Sequence, residues 1–159
     1  MFFRIASATL LLLLMLSIFI LSDQDAVESA NTSSGIIKKI LSVFVLDFEN
    51  LPLSEQNEMI LSFSFAARKT AHFLIYTLLG IFSFLTFVTY KNLHLSFRMS
   101  ISAIVCILYA VSDEIHQLFV VGRSGEVRDV LIDSIGSFVG IASCYLFCRI
   151  FKKIYSKIK

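Results

Sequence analysis

The sequence predicts an all-α membrane protein, a bundle of four transmembrane helices with an additional amphipathic helix between the first and second spans. Three observations lead there. The chain is 57% hydrophobic and only 16% charged, against about 25% charged in ordinary soluble domains, and its mean hydropathy is +0.81. The apolar residues also come in blocks long enough to cross a bilayer, which takes about 20 residues of helix. Finally, these blocks are continuous, whereas the strands of a membrane barrel would alternate over about 10 residues.

The four blocks are residues 2–21, 70–90, 99–119 and 130–150. Short connections and a single Pro leave room for one membrane domain over residues 1–159 and no soluble one. "MFFR" resembles the start of a signal peptide, but the apolar run after it exceeds the usual 7–15 residues, and no clear cleavage site follows. An uncleaved first span is expected. Between spans one and two, "SDQDAVESANTSSG" has the composition of an exposed loop. The segment after it, about residues 35–50, places apolar residues at 36, 37, 40, 41, 44, 45 and 48. That is helical spacing, so a helix in the outer membrane interface, touching the bundle, is expected. Pro52 ends it. The stretch "LPLSEQNEMILSFSFAA" then leads as a second short helix into span two.

Charge gives the orientation. With a cytoplasmic N-terminus, Arg4, Lys91, Arg98, Arg149, Lys152, Lys153, Lys157 and Lys159 all fall on the inner side, as the positive-inside rule requires. Both termini are then cytoplasmic, and the basic tail "RIFKKIYSKIK" reads as an inner-leaflet anchor rather than a nucleic-acid surface. Cys106, Cys144 and Cys148 lack metal-binding spacing and are odd in number, so they are read as packing residues.

The informative residues are polar ones at helix ends. At 100° per residue, Arg68, His72 and Tyr76 share a face of span two. Tyr109, Asp113, His116 and Gln117 share an arc of span three with Glu114 at its edge, and Asp129, Asp133, Gly136 and Gly140 form one stripe of span four. All the ionisable members fall at the outer ends of their helices. The connection "VVGRSGEVRD" adds Arg123 and Arg128, with Gly122 and Gly125 permitting a tight turn. A charge facing lipid costs at least about 2.5–3.5 kcal/mol, so these groups should face one another in an interhelical pocket that opens outward. Gly136 and Gly140, a small-xxx-small pair below Asp133, should press that face against a neighbouring helix.

"RKTAHFLIYTLLG" followed by "SDEIHQLFVVGRSGEVRDVLIDSIGSFVG" resembles the VanZ-like family of bacterial membrane proteins. The resemblance lies in a basic pair before A-H-F and Tyr, then D-E-x-x-Q, an Arg in a Gly-containing turn, and D-x-x-x-D before G-x-x-x-G. It covers about residues 68–141. Val121 departs from it, standing where members often have Pro. The family's founding member is associated with teicoplanin resistance, so the resemblance implies an envelope role in handling a lipid or peptidoglycan-related ligand. It implies no particular catalytic mechanism.

From the residues themselves, Arg68, Lys69 and Arg123 are candidates to engage an anion, with Asp113 and Asp129 orienting the arginines and His72, Tyr76, Glu114, Gln117 and Asp133 completing the pocket. The expected ligand is an anionic envelope lipid or a glycopeptide-related molecule. A hydrolase or transferase is the alternative, with His72, Asp113 and His116 as candidate catalytic groups. No cofactor motif is present and no cofactor is predicted. No metal site is predicted either; were a divalent metal held, the candidate ligands would be His72, Asp113, His116 and Asp129. The third alternative is structural, with the polar cluster simply locking the helices. A transporter is disfavoured because the inner halves of the spans are nearly free of charge.

Overall fold

A computed structural model describes the backbone of residues 2–158 and the side chains of those residues other than 26, 28 and 151–158. Among the described residues the chain forms five α-helices and no strand: α1 (Phe2–Ser22), α2 (Ala26–Phe44), α3 (Leu53–Val88), α4 (Leu95–Gln117) and α5 (Val127–Ile158), with a 3₁₀ turn at Phe48–Asn50. Four of these, α1, α3, α4 and the Val127–Ile150 part of α5, are long and apolar enough to cross a membrane. Much of their apolar surface faces outward, including Leu12, Leu78, Leu108 and Phe138. A soluble bundle would hide such residues, and lipid is the solvent that suits them.

Two sequence readings are corrected here. The segment read as an exposed loop is helical from Ala26, because "AVESANTSS" is polar but holds neither Gly nor Pro to break a helix. Its first turn is closed by the Ser29 N–H donating to the Asp25 carbonyl at 3.0 Å. The amphipathic helix therefore covers Ala26–Phe44 rather than 35–50, and the chain turns at Asp47, which adopts the left-handed conformation with φ of 57°. The short helix expected after Pro52 is also not separate. It is the start of α3, which continues for 36 residues. At 1.5 Å per residue, α3 is about 54 Å long, some 24 Å more than a bilayer core needs.

The extra length forms a helical hairpin with α2. Ile37 and Leu41 of α2, Phe48 of the turn and Ile60 of α3 are buried together, with Met59 and Ala67 packed against them. Gln56 ties the turn to α3 by donating from Nε2 to the Leu51 carbonyl at 2.9 Å. Only half of the apolar stripe of α2 is used this way. Ile36, Ile40 and Phe44 remain exposed.

Within the bundle, α3 is central and touches every other helix. Its closest neighbour is α5, and small residues make that closeness possible. A Cβ added at Gly136 would sit 2.5 Å from the Phe73 carbonyl oxygen, and one at Gly140 would overlap the Thr77 carbonyl. The expected packing role of Gly136 and Gly140 is thus located at the α3–α5 contact. Below the site, Leu11 and Ile18 of α1, Tyr76 and Leu79 of α3, and Cys106 and Ala110 of α4 form the buried core. The Tyr109 hydroxyl of α4 donates to the Met15 carbonyl of α1. At the opposite end, the Arg4 guanidinium lies 3.6 Å from the centre of the Tyr90 ring, and Arg98 donates from Nη1 to the Val88 carbonyl at 3.0 Å.

Candidate functional site

The polar residues gather where the end of α1, the start of α2, the middle of α3, the end of α4, the 118–126 connection and the start of α5 meet. Helical spacing explains the α3 contribution, since Arg68, His72 and Tyr76 are successive i, i+4 positions. The two neighbours of α3 then supply acids. From α4, Asp113 accepts at Oδ2 from the Tyr76 hydroxyl at 3.3 Å and from Gln117 Nε2 at 3.4 Å. Gln117 Nε2 also lies 3.4 Å from Glu114 Oε1. The other Glu114 oxygen accepts the backbone N–H of Glu126 at 2.8 Å, which pins the connection to the end of α4. From α5, both oxygens of Asp129 pair with Lys69 Nζ, and Asp133 Oδ2 lies 3.8 Å from His72 Nδ1.

The deepest groups are incompletely bonded. Asp133 is fully buried, and neither of its carboxylate oxygens has a hydrogen-bond partner. Asp113 Oδ1 and His72 Nδ1 are likewise buried and without one. Burying a polar group unpaired costs about 1–3 kcal/mol, and more when it is charged. Ligand atoms of His72, Asp113 and Asp133 lie within 4.8 Å of one another. Among the described residues this is the set with the geometry to hold a metal.

Above this cluster lies a cavity of about 390 Å³, lined among others by Arg68, Lys69, His72, Gln117, Arg123 and Asp129. A second cavity of about 180 Å³ shares Arg68, His72 and Arg123 with it. The second is otherwise mostly apolar, with Ile18 and Leu21 of α1 facing Ala71 and Ile75 of α3. The two arginines and the histidine therefore stand at the boundary between a polar chamber and an apolar slot. Among the described residues, those lining the larger chamber include three cations (Arg68, Lys69, Arg123) and two carboxylates (Glu126, Asp129). Lys69 is already matched by Asp129. Among the described residues the Arg68 side chain has no hydrogen-bond or ion-pair partner, and Arg123 bonds only the Gln24 carbonyl, from Nε at 3.0 Å.

Of the sequence-predicted residues, Arg68, Lys69, His72, Gln117, Arg123 and Asp129 line the chamber. Tyr76, Asp113, Glu114 and Asp133 lie behind it, buried. Two candidate relationships are corrected, and one open in the sequence is settled by the geometry. Asp113 and Asp129 do not orient the arginines, because the first is held by Tyr76 and Gln117 and the second by Lys69. The sequence left open whether His116 meets His72, and it does not. It turns toward α1, where it stacks on Phe19 with ring centres 4.3 Å apart and places Nε2 3.4 Å from Asp23 Oδ1. The candidate ligands His72, Asp113, His116 and Asp129 are accordingly split, and the ligand atoms that come together are those of His72, Asp113 and Asp133.

Residues that sequence reasoning missed come from the turn between α1 and α2 and from α2 itself. Gln24 anchors Arg123, and Ser29 and Ala30 form one wall of the chamber. The available signal was positional, since Asp23 and Gln24 end span one at the level of the other polar groups.

A comparison with protein-family profiles matches residues 7–149 to VanZ/LLP1. The chain belongs to the VanZ/LLP1 family. Searches of the curated proteins and of the solved structures returned no match. The VanZ/LLP1 match takes in α1 and α2 as well as the motif-bearing helices, so it spans every element that builds the chamber. With four membrane-length apolar helices, this VanZ/LLP1 member is a multi-pass membrane protein.

Proposed function

We propose that this VanZ-like protein binds an anionic amphiphile, a phosphate-bearing envelope lipid or a glycopeptide-related ligand, at the Arg68–Arg123 chamber. The observation that carries the reading is the pair of guanidinium groups bordering the chamber, whose fork nitrogens pair with no carboxylate among the described residues. Arginine donates bidentately to phosphate or carboxylate, and each charge-assisted bond is worth about 1.5–3 kcal/mol. The apolar slot beside Arg68 and Arg123 suits the beginning of an acyl chain, with the head group in the larger chamber.

The same reading places the protein in the bacterial cytoplasmic membrane with both termini inside and the chamber facing out. Support comes from Arg4, Lys91 and Arg98 gathering at the opposite end of the bundle. The exposed half of the α2 stripe would rest in the outer interface. Holding such a ligand at the outer face is how the protein would contribute to glycopeptide (teicoplanin) resistance.

A lipid inventory of the purified protein tests this. Anionic lipid is expected to co-purify with the wild type and to fall sharply in the Arg68→Ala/Arg123→Ala double variant. An unchanged inventory would leave the polar cluster with a purely structural role. A second reading, a hydrolase or transferase acting on such a lipid, is favoured by His72 bordering the chamber with Asp133 behind it, an arrangement that suits a general base. Release of product from the retained lipid by wild type, abolished in His72→Ala, distinguishes catalysis from binding.

A further inference from the structure

Asp113 and Asp133 present a charge problem that the chamber does not solve. Both are buried, and no Lys or Arg among the described residues pairs with either. Taking a carboxylate out of water costs several kcal/mol even after relaxation, unless a cation or a full set of donors compensates. Asp113 has donors on one oxygen only, and Asp133 has none on either. The unbonded atoms are therefore specific: His72 Nδ1, Asp113 Oδ1, and both oxygens of Asp133. Ligand atoms from the three residues come within 4.8 Å of one another.

We propose that His72, Asp113 and Asp133 form a binding site for one divalent transition-metal ion, zinc or manganese, at the base of the chamber. The site goes beyond the amphiphile reading and holds whether the chamber binds or turns over its ligand. Two carboxylates and one dication balance in charge, and the cation gives one ligand atom of each of the three residues a partner. One imidazole nitrogen with carboxylate oxygens suits zinc or manganese, whereas calcium takes six to eight oxygens, more than these residues supply.

The surroundings of Asp113 match those of a metal-bound carboxylate. Tyr76 and Gln117 hold its Oδ2 and leave Oδ1 buried without a partner, as outer hydrogen bonds orient metal-ligating groups elsewhere. Bonds of about 2.0–2.2 Å would draw the side chains together by about an ångström. Three protein residues leave a coordination position open. His72 lines the chamber, so that position is within reach of a phosphate oxygen or a water there.

Metal content and metal-dependent unfolding of the full-length protein in detergent test the proposal. Cys144 and Cys148, one helical turn apart, are replaced by Ser throughout so that these thiols contribute no zinc. Cells are grown with added zinc and manganese, and the protein is purified without chelator. Wild type and His116→Ala are expected to carry about one metal ion per chain, and Asp133→Asn and His72→Ala about tenfold less. After chelator treatment, zinc or manganese chloride should raise the unfolding midpoint of the wild type but not of Asp133→Asn. Where Asp133→Asn fails to fold, Asp113→Asn and the wild type with and without metal decide the matter. Wild-type protein with no stoichiometric metal and no shift on adding either ion would overturn the site, as would Asp133→Asn retaining the wild-type amount.

Discussion

Gly136→Ala adds one methyl group and tests whether α3 and α5 touch where the structure places them. The new Cβ would lie 2.5 Å from the Phe73 carbonyl oxygen, whereas C–H···O contacts settle at about 3.3–3.6 Å. The two helices must separate by about 0.8–1.1 Å at this point, and the obstacle is backbone, which cannot rotate away. Overpacking of this kind costs about 1–3 kcal/mol. Replacing a mid-helix Gly by Ala returns about 0.5–1 kcal/mol of chain entropy, so mid-range values leave a net loss of about 1 kcal/mol. Gly35→Ala is the internal control. Gly35 is also helical, within α2, but a Cβ there would meet nothing within 4 Å, so that variant should gain about 0.5–1 kcal/mol. Cys106 provides the assay, since it is fully buried and free. With Cys144 and Cys148 changed to Ser, reaction of Cys106 with a thiol dye on heating reports unfolding. Opposite shifts of the two midpoints are expected. Gly136→Ala melting at or above the wild type would refute the close approach, and with it the placement of Asp133 beside His72.

Other expectations follow from the same geometry. Tyr76→Phe removes the hydroxyl donor from buried Asp113 and should cost about 1–2 kcal/mol in the same thermal assay. Lys69 and Asp129 are about a quarter exposed or less, at 24% and 20%, so a double-mutant cycle between Lys69→Ala and Asp129→Ala should give a coupling of about 1–2 kcal/mol, above that of a surface pair. A coupling near zero would mean that the pair does not form. His116→Ala loses a stacking contact with Phe19 worth about 0.5–1.5 kcal/mol and should leave lipid retention at the wild-type level. A loss of lipid in that variant would bring His116 back into the chamber.

The four spans were legible because a bilayer imposes a length on apolar sequence, and each expected boundary falls within a few residues of a helix end except the start of α3 and the end of α5. That start was hidden because Leu53–Ala67 mixes polar and apolar residues and forms a hairpin with α2. The α2 start was hidden for a related reason, since polar composition was read as a loop although nothing in it breaks a helix. In the site, helical periodicity placed Arg68, His72 and Tyr76 on one face, along with the Asp129–Asp133 stripe. It could not choose partners. His116 and Asp113 are three residues apart, about 60° around the helix, and that angle sends one toward α1 and the other toward α3. Which neighbour an edge residue meets depends on the arrangement of helices, and one chain's periodicity carries no record of it.

The claim that Arg68 and Arg123 hold an anionic amphiphile is tested most directly by affinity. Purified protein is titrated with phosphatidylglycerol and, separately, with phosphatidylcholine, and the bound fraction is read by native mass spectrometry. The wild type should prefer the anionic lipid, and Arg68→Ala should weaken that binding by about 2 kcal/mol, or ~30-fold, while leaving phosphatidylcholine unaffected. Equal affinity for the two lipids in the wild type, or anionic binding that survives Arg68→Ala/Arg123→Ala intact, would contradict it.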